Sequence, residues 1–276
     1  MRYAEIRVLF KPIQKPPFFI GSQVRGAFGR ALKSVSCINS SYKCDGCFAK
    51  DSCLYYDFFE KKNSYHGYRL DFELGAEIYD FGIVLLGSAS KQLPYIASAA
   101  YMMLKKYGLG KDRIKYEQFD MFVNGVACLK DDNISLPKDY VREFNFDGGD
   151  GDVQVEFVTP FRIKKNNIFL RNDNICLRDI LNSIYQRRLG VFGLDHEALP
   201  FEIKGEMVKK DLRYVELARR NNKQNATMNL GGLVGSLDIK GANKECIGLL
   251  KLGEIIGAGK QTVFGLGKIG IKEKNE

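Results

Sequence analysis

The sequence predicts an α+β protein built from two tandem ferredoxin-like domains, with a glycine-rich loop near its C-terminus. Three observations lead to this fold class. The chain has 276 residues, which is enough for two domains of ordinary size. A polar break separates residues 1–146 from residues 153–276. Each half shows helix and strand patterns in the order β-α-β-β-α-β, which is the element order of a ferredoxin-like domain.

The break itself is the segment Asp-Gly-Gly-Asp-Gly-Asp at 147–152, which contains no apolar residue. Glycines and acidic side chains in such a run are typical of a linker or loop. The flanking halves are each near the common length of a domain. Hydrophobic residues make up 45% of the chain and charged residues 27%, a globular composition that excludes an intrinsically disordered protein.

The first domain opens with an alternating strand, Tyr3–Phe10, and prolines forbid regular structure just after it. A helix is predicted over 23–35, with Ser22 as its cap, because one apolar stripe runs along these residues. The remaining predicted elements are strands at Tyr68–Leu74 and Ile78–Leu86, a helix at Ser90–Tyr107, and strands at Lys115–Val123 and Gly125–Leu129.

The second domain follows the same order with a less regular pattern. Val153, Val155 and Phe157 alternate with polar residues before Pro160, which predicts a strand here. The later predicted elements are a helix at Leu177–Leu189, strands at Glu206–Glu216 and Leu230–Ile239, a helix at Glu245–Ile256, and a strand at Phe264–Ile271.

The charge distribution indicates a polyanion as partner. The chain carries 42 Lys and Arg against 33 Asp and Glu, a formal net charge of +9. Residues 1–50 are net +7, residues 51–160 net −6, residues 161–224 net +6 and residues 225–276 net +2. Two basic blocks favour a positive surface assembled from distant parts of the chain, for which RNA or DNA is the natural ligand. A solvated basic surface without a ligand is the alternative.

The sequence gives no sign of a membrane partner. The longest apolar run, Gly82–Ala89, has the length of a strand and not of a spanning helix. The first ten residues alternate and include Glu5 and Arg7, which excludes a signal peptide there. We therefore expect a soluble, cytoplasmic protein.

Four of the seven cysteines are crowded together with the spacing C-x₆-C-x₂-C-x₅-C. They are Cys37, Cys44, Cys47 and Cys53. The central pair has the spacing of a zinc knuckle, and the outer two are close enough to complete a tetrahedral site. Such a zinc would be structural and not catalytic, because four thiolates leave no open position. An iron–sulfur cluster or four reduced thiols are the alternatives.

The segment from Ile256 to Gly267 has the pattern G-x-G-x₅-G-x-G and contains Lys260. Glycines let backbone N–H groups approach a phosphate, and the lysine adds positive charge. It is not a P-loop, because Glu254 stands where the first glycine must be and Gln261 replaces Ser or Thr. It is also not a dinucleotide-binding loop, because it leads from a helix to a strand. A glycine-rich turn without a ligand is the alternative.

Several segments together resemble a known family. They are Gly21-Ser-Gln-Val-Arg-Gly-Ala-Phe-Gly-Arg-Ala-Leu-Lys33 with the four cysteines after it, Arg187-Arg-Leu189, Arg213-Tyr214, Arg219-Arg-Asn-Asn-Lys-Gln224, Leu230-Gly-Gly-Leu-Val-Gly235 and the glycine segment. In this order the chain resembles the CRISPR-associated endoribonuclease that processes precursor CRISPR RNA, a member of the RAMP superfamily. The cysteine cluster after the Arg-Gly-Ala-Phe-Gly-Arg helix marks a narrower branch.

The resemblance implies both a fold and an activity. It implies two ferredoxin-like, RRM-related domains that bind CRISPR repeat RNA and cleave the precursor without a catalytic metal, leaving a 2′,3′-cyclic phosphate. A CRISPR effector complex is a second candidate partner. Two alternatives stay open: a catalytically silent RAMP subunit that holds CRISPR RNA in an effector complex, and a zinc-stabilised module that meets an acidic protein.

Cleavage by the RNA's own 2′-OH needs a base, an acid for the leaving 5′-oxygen, and cations around the phosphorus. The only histidines are His66 and His196. His66 lies in the half where relatives place their general base, and it is the candidate base. Tyr42 and Lys43 are the candidate acid and phosphate-stabilising partners. His196, in Leu-Asp-His-Glu, is expected in a polar turn.

The predicted RNA contacts are basic side chains and the glycine segment. Arg25 and Arg30 lie off the apolar stripe of the first helix, and the tract 219–224 contains no apolar residue. The full predicted set is Arg25, Arg30, Arg187, Arg188, Arg213, Arg219, Arg220, Lys223, Gly257, Gly259, Lys260, Gly265 and Gly267.

Overall fold

A computed structural model describes residues 1–165, 167–221 and 226–274, with only the backbone for residues 218–221 and 226–228. The chain divides into two compact units, Met1–Glu143 and Phe144–Glu276. The predicted linker, 147–152, therefore falls inside the second unit, and its last two residues already belong to a strand that begins at Gly151. No helix in the described ranges is both long and apolar enough to cross a membrane.

The first unit has the ferredoxin-like order. Its main elements are β1 (Arg2–Phe10), α1 (Gly21–Ser36), β2 (Tyr68–Phe72), β3 (Tyr79–Leu86), α2 (Leu93–Met102) and β4 (Asp120–Val123). The strands lie in the order β2-β3-β1-β4, and each pairs with its neighbours antiparallel. This is the βαββαβ arrangement that the sequence predicts.

Shorter elements complete the first unit. The residues that the sequence assigns to one helix at Ser90–Tyr107 form a 3₁₀ turn, α2 and a π-helical turn in succession. The short elements are 3₁₀ turns Lys50–Ser52 and Gly87–Gln92, π-helical turns Tyr56–Glu60 and Met103–Tyr107, and strands Val126–Ala127, Leu129–Lys130, Asn133–Ile134 and Arg142–Glu143. The predicted cap at Ser22 is wrong. Helix α1 begins at Gly21 after Ile20, so Ser22 lies inside its first turn, and no side chain caps it.

The second unit repeats the arrangement. Its main elements are β5 (Gly151–Phe161), α3 (Leu177–Val191), β6 (Glu206–Val215), β7 (Gly232–Ala242), α4 (Lys244–Ile256) and β8 (Ile269–Lys274). The strand order is β6-β7-β5-β8, again fully antiparallel. The short elements are the strands Lys164–Lys165, Ile168–Phe169, Ala218–Asn221 and Ala226–Asn229, and the 3₁₀ turn Thr262–Phe264.

Strand β5 extends beyond the alternating residues and continues through Pro160 to Phe161. The pairing with β7 shifts in register here: Gly235 faces Phe157, whereas Leu233 faces Phe161. A proline removes one ladder hydrogen bond, and an irregular register is where a central strand tolerates that loss. This end of β5 carries the contacts that fix the glycine segment.

The core of each unit lies between its sheet and its helices. In the first unit, Ile6 and Val8 of β1 and Phe28 and Leu32 of α1 are fully buried, and α2 packs against both elements. In the second, Val155 of the central strand pairs on both sides, with Leu237 of β7 and Ile271 of β8. Alternating burial along β1 and β5 matches the period of two in the sequence.

Candidate functional site

The glycine segment joins the end of α4 to β8 in the second unit. All four glycines predicted for the site have positive φ: Gly257 at +79°, Gly259 at +77°, Gly265 at +81° and Gly267 at +71°. Residues with a Cβ rarely adopt this region of backbone space. The glycines are therefore required by the path of the chain, whatever the loop binds.

The backbone N–H groups of these glycines do not form the phosphate cradle that the sequence suggests. Gly257 donates to the carbonyl of Gly253 at 2.8 Å, and Gly265 donates to that of Thr262 at 2.9 Å. Gly267 donates to Pro160 at 3.1 Å, and Gly259 donates to the hydroxyl of Ser183 at 3.3 Å. All four donors are used inside the protein, so the expectation of a cradle made by them is wrong.

A side chain added at Gly259 or Gly267 would also point into the protein. A Cβ on Gly259 would lie 2.7 Å from the carbonyl oxygen of Arg162, and one on Gly267 would lie 1.7 Å from that of Ala258. Both positions face the body of the unit and not a ligand. At these two positions, the absence of a Cβ permits close backbone packing.

Thr159, near the end of β5, connects the loop to the sheet by hydrogen bonds. The sequence did not indicate this residue. Its buried hydroxyl donates to the carbonyl of Gly265 and accepts the N–H of Lys268, both at 2.8 Å. The signal available in the sequence was a hydroxyl next to the one proline of an otherwise apolar strand end. Together with the Pro160 contact, this bond fixes the second half of the loop.

The outward part of the loop is its tip. Lys260 is exposed, while its backbone N–H donates to the carbonyl of Arg162 at 2.8 Å. Gln261 follows in the left-handed region, with φ at +67°. In the described part of the chain, no acceptor receives the backbone N–H groups of Gln261, Thr262 or Val263. The charge and the remaining donors thus lie together at the tip.

Arg187 is not at the surface, contrary to the prediction. It is buried, and its Nε donates to the carbonyl oxygen of Ile256 at the end of α4. The buried guanidinium therefore caps the last turn of α4, just before the glycine segment. Its neighbour Arg188 on α3 is exposed, and so is Arg213 on β6. Those two remain available to a ligand.

The basic tract 219–224 lies mostly outside the described residues. Arg219 and Arg220 belong to the strand Ala218–Asn221, which pairs with Ala226–Asn229, but their side chains are not described. Lys223 lies outside the described residues altogether. Their assignment to RNA stays a prediction.

In the first unit, the two predicted arginines of α1 differ. The guanidinium of Arg25 lies over the ring of Phe59, 4.8 Å from its centroid, and is half-buried. Arg30 is exposed. Partial desolvation lowers the pKa of Arg30, and the like charge of Arg113 lowers it further. Arg30 and Arg113 therefore form a local concentration of positive charge on this unit.

His66 precedes β2 and is half-buried. Its Nδ1 lies 2.7 Å from the carbonyl oxygen of Asp57, in the π-helical turn. A carbonyl oxygen only accepts hydrogen bonds, so Nδ1 carries the proton, and in the neutral ring Nε2 carries the lone pair. This is the tautomer that a general base needs at Nε2.

Tyr42 and Lys43 are not joined to His66. Both are exposed, with Tyr42 at 51%, and neither makes a hydrogen bond, ion pair or ring contact with His66 in the described structure. The predicted trio is therefore not assembled by the protein alone. His196 lies in the exposed loop after α3, as expected for a polar turn.

Three of the four clustered cysteines line one small cavity. A cavity of about 140 Å³ is lined by Cys37, Cys47 and Cys53 among others. Burial raises the pKa of Cys44, Lys33 lowers it, and nearby Glu60, Cys53 and Cys37 raise it, so the fourth thiol is close to the other cysteines. The donor set fits a thiolate-bound metal. In the described ranges, however, no three His, Cys, Asp or Glu side chains are arranged as a ready set of ligands.

The insertion that carries the cysteines, residues 37–53, has no core of its own. None of these residues is buried, and its largest apolar side chain, Phe48, is 81% exposed. Every hydrogen bond made by residues 38–49 reaches a position at most four away, from the bond between Asn39 and Lys43 to those of single turns. A segment of this kind needs a cross-link to keep one conformation.

Comparisons with known proteins agree with the fold. Residues 155–269 match the family model of the CRISPR-associated endoribonuclease Cas6. Residues 1–125 match a second family model, AF_1859_N, described as an N-terminal domain. The Cas6 match begins at Val155 within β5 and contains α3, β6, β7, α4, the glycine segment and the first residue of β8.

The chain is also similar to individual proteins along its whole length. An uncharacterized protein of Archaeoglobus fulgidus is 23% identical over 292 aligned residues, covering 95% of this chain and 94% of the relative. A Cas6 product complex superposes with a TM-score of 0.61 at 14% identity, over 99% of this chain and 100% of that one. Cas6 of Thermus thermophilus gives 0.57 at 14% identity, over 99% and 98%. A RAMP protein described as binding different RNA substrates gives 0.51 at 13% identity, over 99% and 100%.

Proposed function

The chain belongs to the Cas6 family of CRISPR-associated endoribonucleases, and we propose on that premise that it binds CRISPR repeat RNA and cleaves the precursor transcript. The observation that carries the proposal is the family match over 155–269, because it contains the rigid glycine segment and the exposed Lys260. The net charge of +9 supports a polyanionic substrate.

The first step we propose is attack by the RNA's own 2′-oxygen on the adjacent phosphorus. Nε2 of His66 takes the 2′-OH proton, because the bond from Nδ1 to Asp57 reserves the lone pair for Nε2. The bond from phosphorus to the 5′-oxygen breaks, and the products are a 2′,3′-cyclic phosphate and a 5′-OH. No step calls for a metal ion.

The leaving 5′-oxygen needs a proton, and the crowded phosphorus needs positive charge. We assign these roles to Tyr42 and Lys43, which are exposed on the cysteine insertion and so accessible to RNA. Since they do not contact His66, bound RNA would have to bring the three groups to one phosphate. Membership of a CRISPR effector complex stays a prediction.

We also propose that Cys37, Cys44, Cys47 and Cys53 hold one structural zinc ion. The support is physical: three of the four thiols line one cavity, the fourth interacts electrostatically with two of them, and the insertion has neither a core nor long-range hydrogen bonds over residues 38–49. Zinc bound by four thiolates would supply the missing cross-link. It would stabilise the segment that carries Tyr42 and Lys43.

The test is incubation of the purified protein with repeat RNA in EDTA, beside the same RNA with one 2′-deoxy nucleotide immediately 5′ of the cut. We expect cleavage of the first RNA, with a cyclic phosphate at the new 3′ end, and binding without cleavage of the second. Binding of both RNAs without cleavage would instead identify a silent RAMP subunit. Cleavage of the deoxy RNA would refute the mechanism.

A further inference from the structure

Three cations surround two aromatic rings in the second unit, outside every residue assigned above. The guanidinium carbon of Arg162 lies 3.6 Å from the ring centroid of Phe169, and the ammonium of Lys164 lies 4.9 Å from the same centroid. The guanidinium carbon of Arg171 lies 5.6 Å from the ring centroid of Tyr214. Cations on aromatic faces are held in fixed positions at little cost in entropy.

Arg162 is the buried member of the group. It is only 9% exposed, and its Nη1 donates to the carbonyl of Gly231 at 2.8 Å. Its Nε is buried and has no acceptor in the described part of the chain, where the guanidinium also forms no ion pair. Desolvation lowers its pKa, Tyr214 and Glu216 partly offset this, and the charge of Arg171 lowers it again. A positive charge buried without a paired carboxylate is costly to the protein on its own.

The two exposed cations are also left without acidic partners. Neither Lys164 nor Arg171 forms an ion pair within the described ranges. The adjacent Lys165 shows the contrast, since its ammonium lies 3.7 Å from a carboxylate oxygen of Asp179. Lys165 is thus paired within the unit, whereas Lys164 lies over the same aromatic ring as Arg162.

This cluster adjoins the glycine segment through the backbone. The carbonyl of Arg162 accepts the N–H of Lys260 at 2.8 Å. The exposed lysine of the loop is therefore bonded directly to a residue of the cluster. One extended polyanion could therefore meet both without any change in the fold.

We propose that Arg162, Lys164 and Arg171 form a binding site for the phosphodiester backbone of single-stranded RNA, which extends the surface of the glycine segment. The inference rests on the proposed function in taking RNA as the ligand. An RNA strand is favoured over an acidic peptide because the exposed guanidinium of Arg171, backed by Tyr214, offers a flat face on which a base stacks. Arg162 supplies fixed charge behind the two exposed groups.

The test compares two double variants that each remove two positive charges from the second unit. The site variant is K164A/R171A. The control is K240A/K244A, at the far end of the sheet, where Ile239 pairs with Val153 and not with the Phe161 end of β5. All four side chains are exposed, so we expect unchanged melting temperatures. Affinity for a short oligouridylate and for repeat RNA is measured at several salt concentrations.

We expect the site variant to bind oligouridylate about tenfold or more weakly, with a salt slope reduced by about 1.4 for two lost contacts to single-stranded RNA. The control should stay within about twofold of wild type. The proposed site would be refuted if both variants lost the same affinity for oligouridylate, or if neither lost any. It would also be refuted if polyglutamate competed for the protein as well as RNA does. If the two variants differ in oligouridylate affinity as expected but wild type does not cleave repeat RNA, the result would count against the proposed function and not against this site.

Arg162 is tested separately, because its removal could alter folding. We expect R162M to weaken oligouridylate binding at least as much as the double variant, while its melting temperature stays within a few degrees of wild type, since a buried unpaired charge has been removed. A folded R162M protein with wild-type affinity and salt slope would show that Arg162 is structural and would exclude it from the site.

Discussion

The two units have the same element order and the same strand order, yet they stabilise their irregular segments in different ways. In the second unit, the glycine segment is tied to β5 by the carbonyl of Pro160 and the hydroxyl of Thr159. In the first unit, residues 38–49 make only local hydrogen bonds, and no residue of 37–53 is buried. One irregular segment is fixed by the backbone of the sheet, whereas the other has no such contacts, and we propose that it depends on its cysteines.

This difference separates the roles of the two units. A loop fixed by its own backbone can present Lys260 to a ligand in a constant position. In the proposed mechanism, the positions of Tyr42 and Lys43 on the insertion depend on the proposed zinc cross-link and on bound RNA. We therefore expect the first unit to determine the rate of cleavage and the second to determine affinity. The predictions below test this division.

The largest expected effect is on the rate and belongs to the first unit. We expect His66→Ala to slow cleavage of repeat RNA by about 10²–10⁴-fold, the range for loss of a general base. Affinity for the RNA should stay within about threefold, because His66 carries little of the basic surface. Single-turnover cleavage and filter binding measure the two quantities.

The matched control is His196→Ala, which removes the other histidine, exposed in a loop of the second unit. We expect cleavage by this variant at the wild-type rate. A loss of less than tenfold in His66→Ala would exclude His66 as the base and would leave Tyr42, Lys43 or the arginines to orient the RNA.

The next largest expected effect is on metal content and stability, and it concerns the cysteine insertion. We expect about one equivalent of zinc per chain in purified protein, and Cys47→Ser should lower the metal content and reduce the free energy of unfolding by about 2–5 kcal/mol. Cys176→Ser is the control, since Cys176 lies outside the cluster and a serine can replace it at the start of α3. Metal analysis and thermal melting are the measurements. A metal-free wild-type protein of full stability would refute the zinc site.

Much of the framework could be predicted from the sequence because local patterns determine it. Alternation along β1 and the apolar stripe of α1 predicted the first two elements, and similar local patterns predicted the rest of the order β-α-β-β-α-β in the first unit. The continuation of β5 through Pro160 could not be predicted, because the register shift that accommodates Pro160 is a property of the pairing with β7. No local pattern carries that information.

The site was predicted less well, for a related reason. Charge and glycine content indicate a surface, but they do not show which way a group points. Arg187 follows the same pattern as Arg188, yet it is buried against the end of α4. The glycines of the loop are likewise turned inward, and Arg162 was overlooked because it follows an apolar strand. Orientation depends on tertiary contacts, which a single sequence does not specify.

The inward orientation of the glycine segment predicts a loss of stability. Gly267→Ala would place a Cβ 1.7 Å from the carbonyl oxygen of Ala258, at a φ of +71°. We expect the free energy of unfolding to fall by about 2–4 kcal/mol. Gly270→Ala, three residues on in β8, meets no atom within 4 Å and should be neutral or slightly stabilising. Chemical denaturation of both variants measures this. Equal stability would show that the loop is not fixed by its backbone.

The smallest expected effect is on stability and concerns two glycines of one helix in the first unit. Replacing one of them by alanine should stabilise the protein, and replacing the other should destabilise it. Gly29 of α1 faces Phe59, whose ring atom Cε1 lies 2.7 Å from where a Cβ would be, whereas Gly26, one turn earlier, has nothing within 4 Å. Gly26→Ala should stabilise the protein by about 0.5–1 kcal/mol through helix propensity alone. Gly29→Ala should destabilise it by about 1–3 kcal/mol, because it overpacks a buried contact. It should also weaken RNA binding, since Phe59 supports Arg25 at 4.8 Å. If both alanines stabilised the protein, the π-helical turn that bears Phe59 would have to shift at little energetic cost. The contact between Phe59 and α1 would then not be tightly packed.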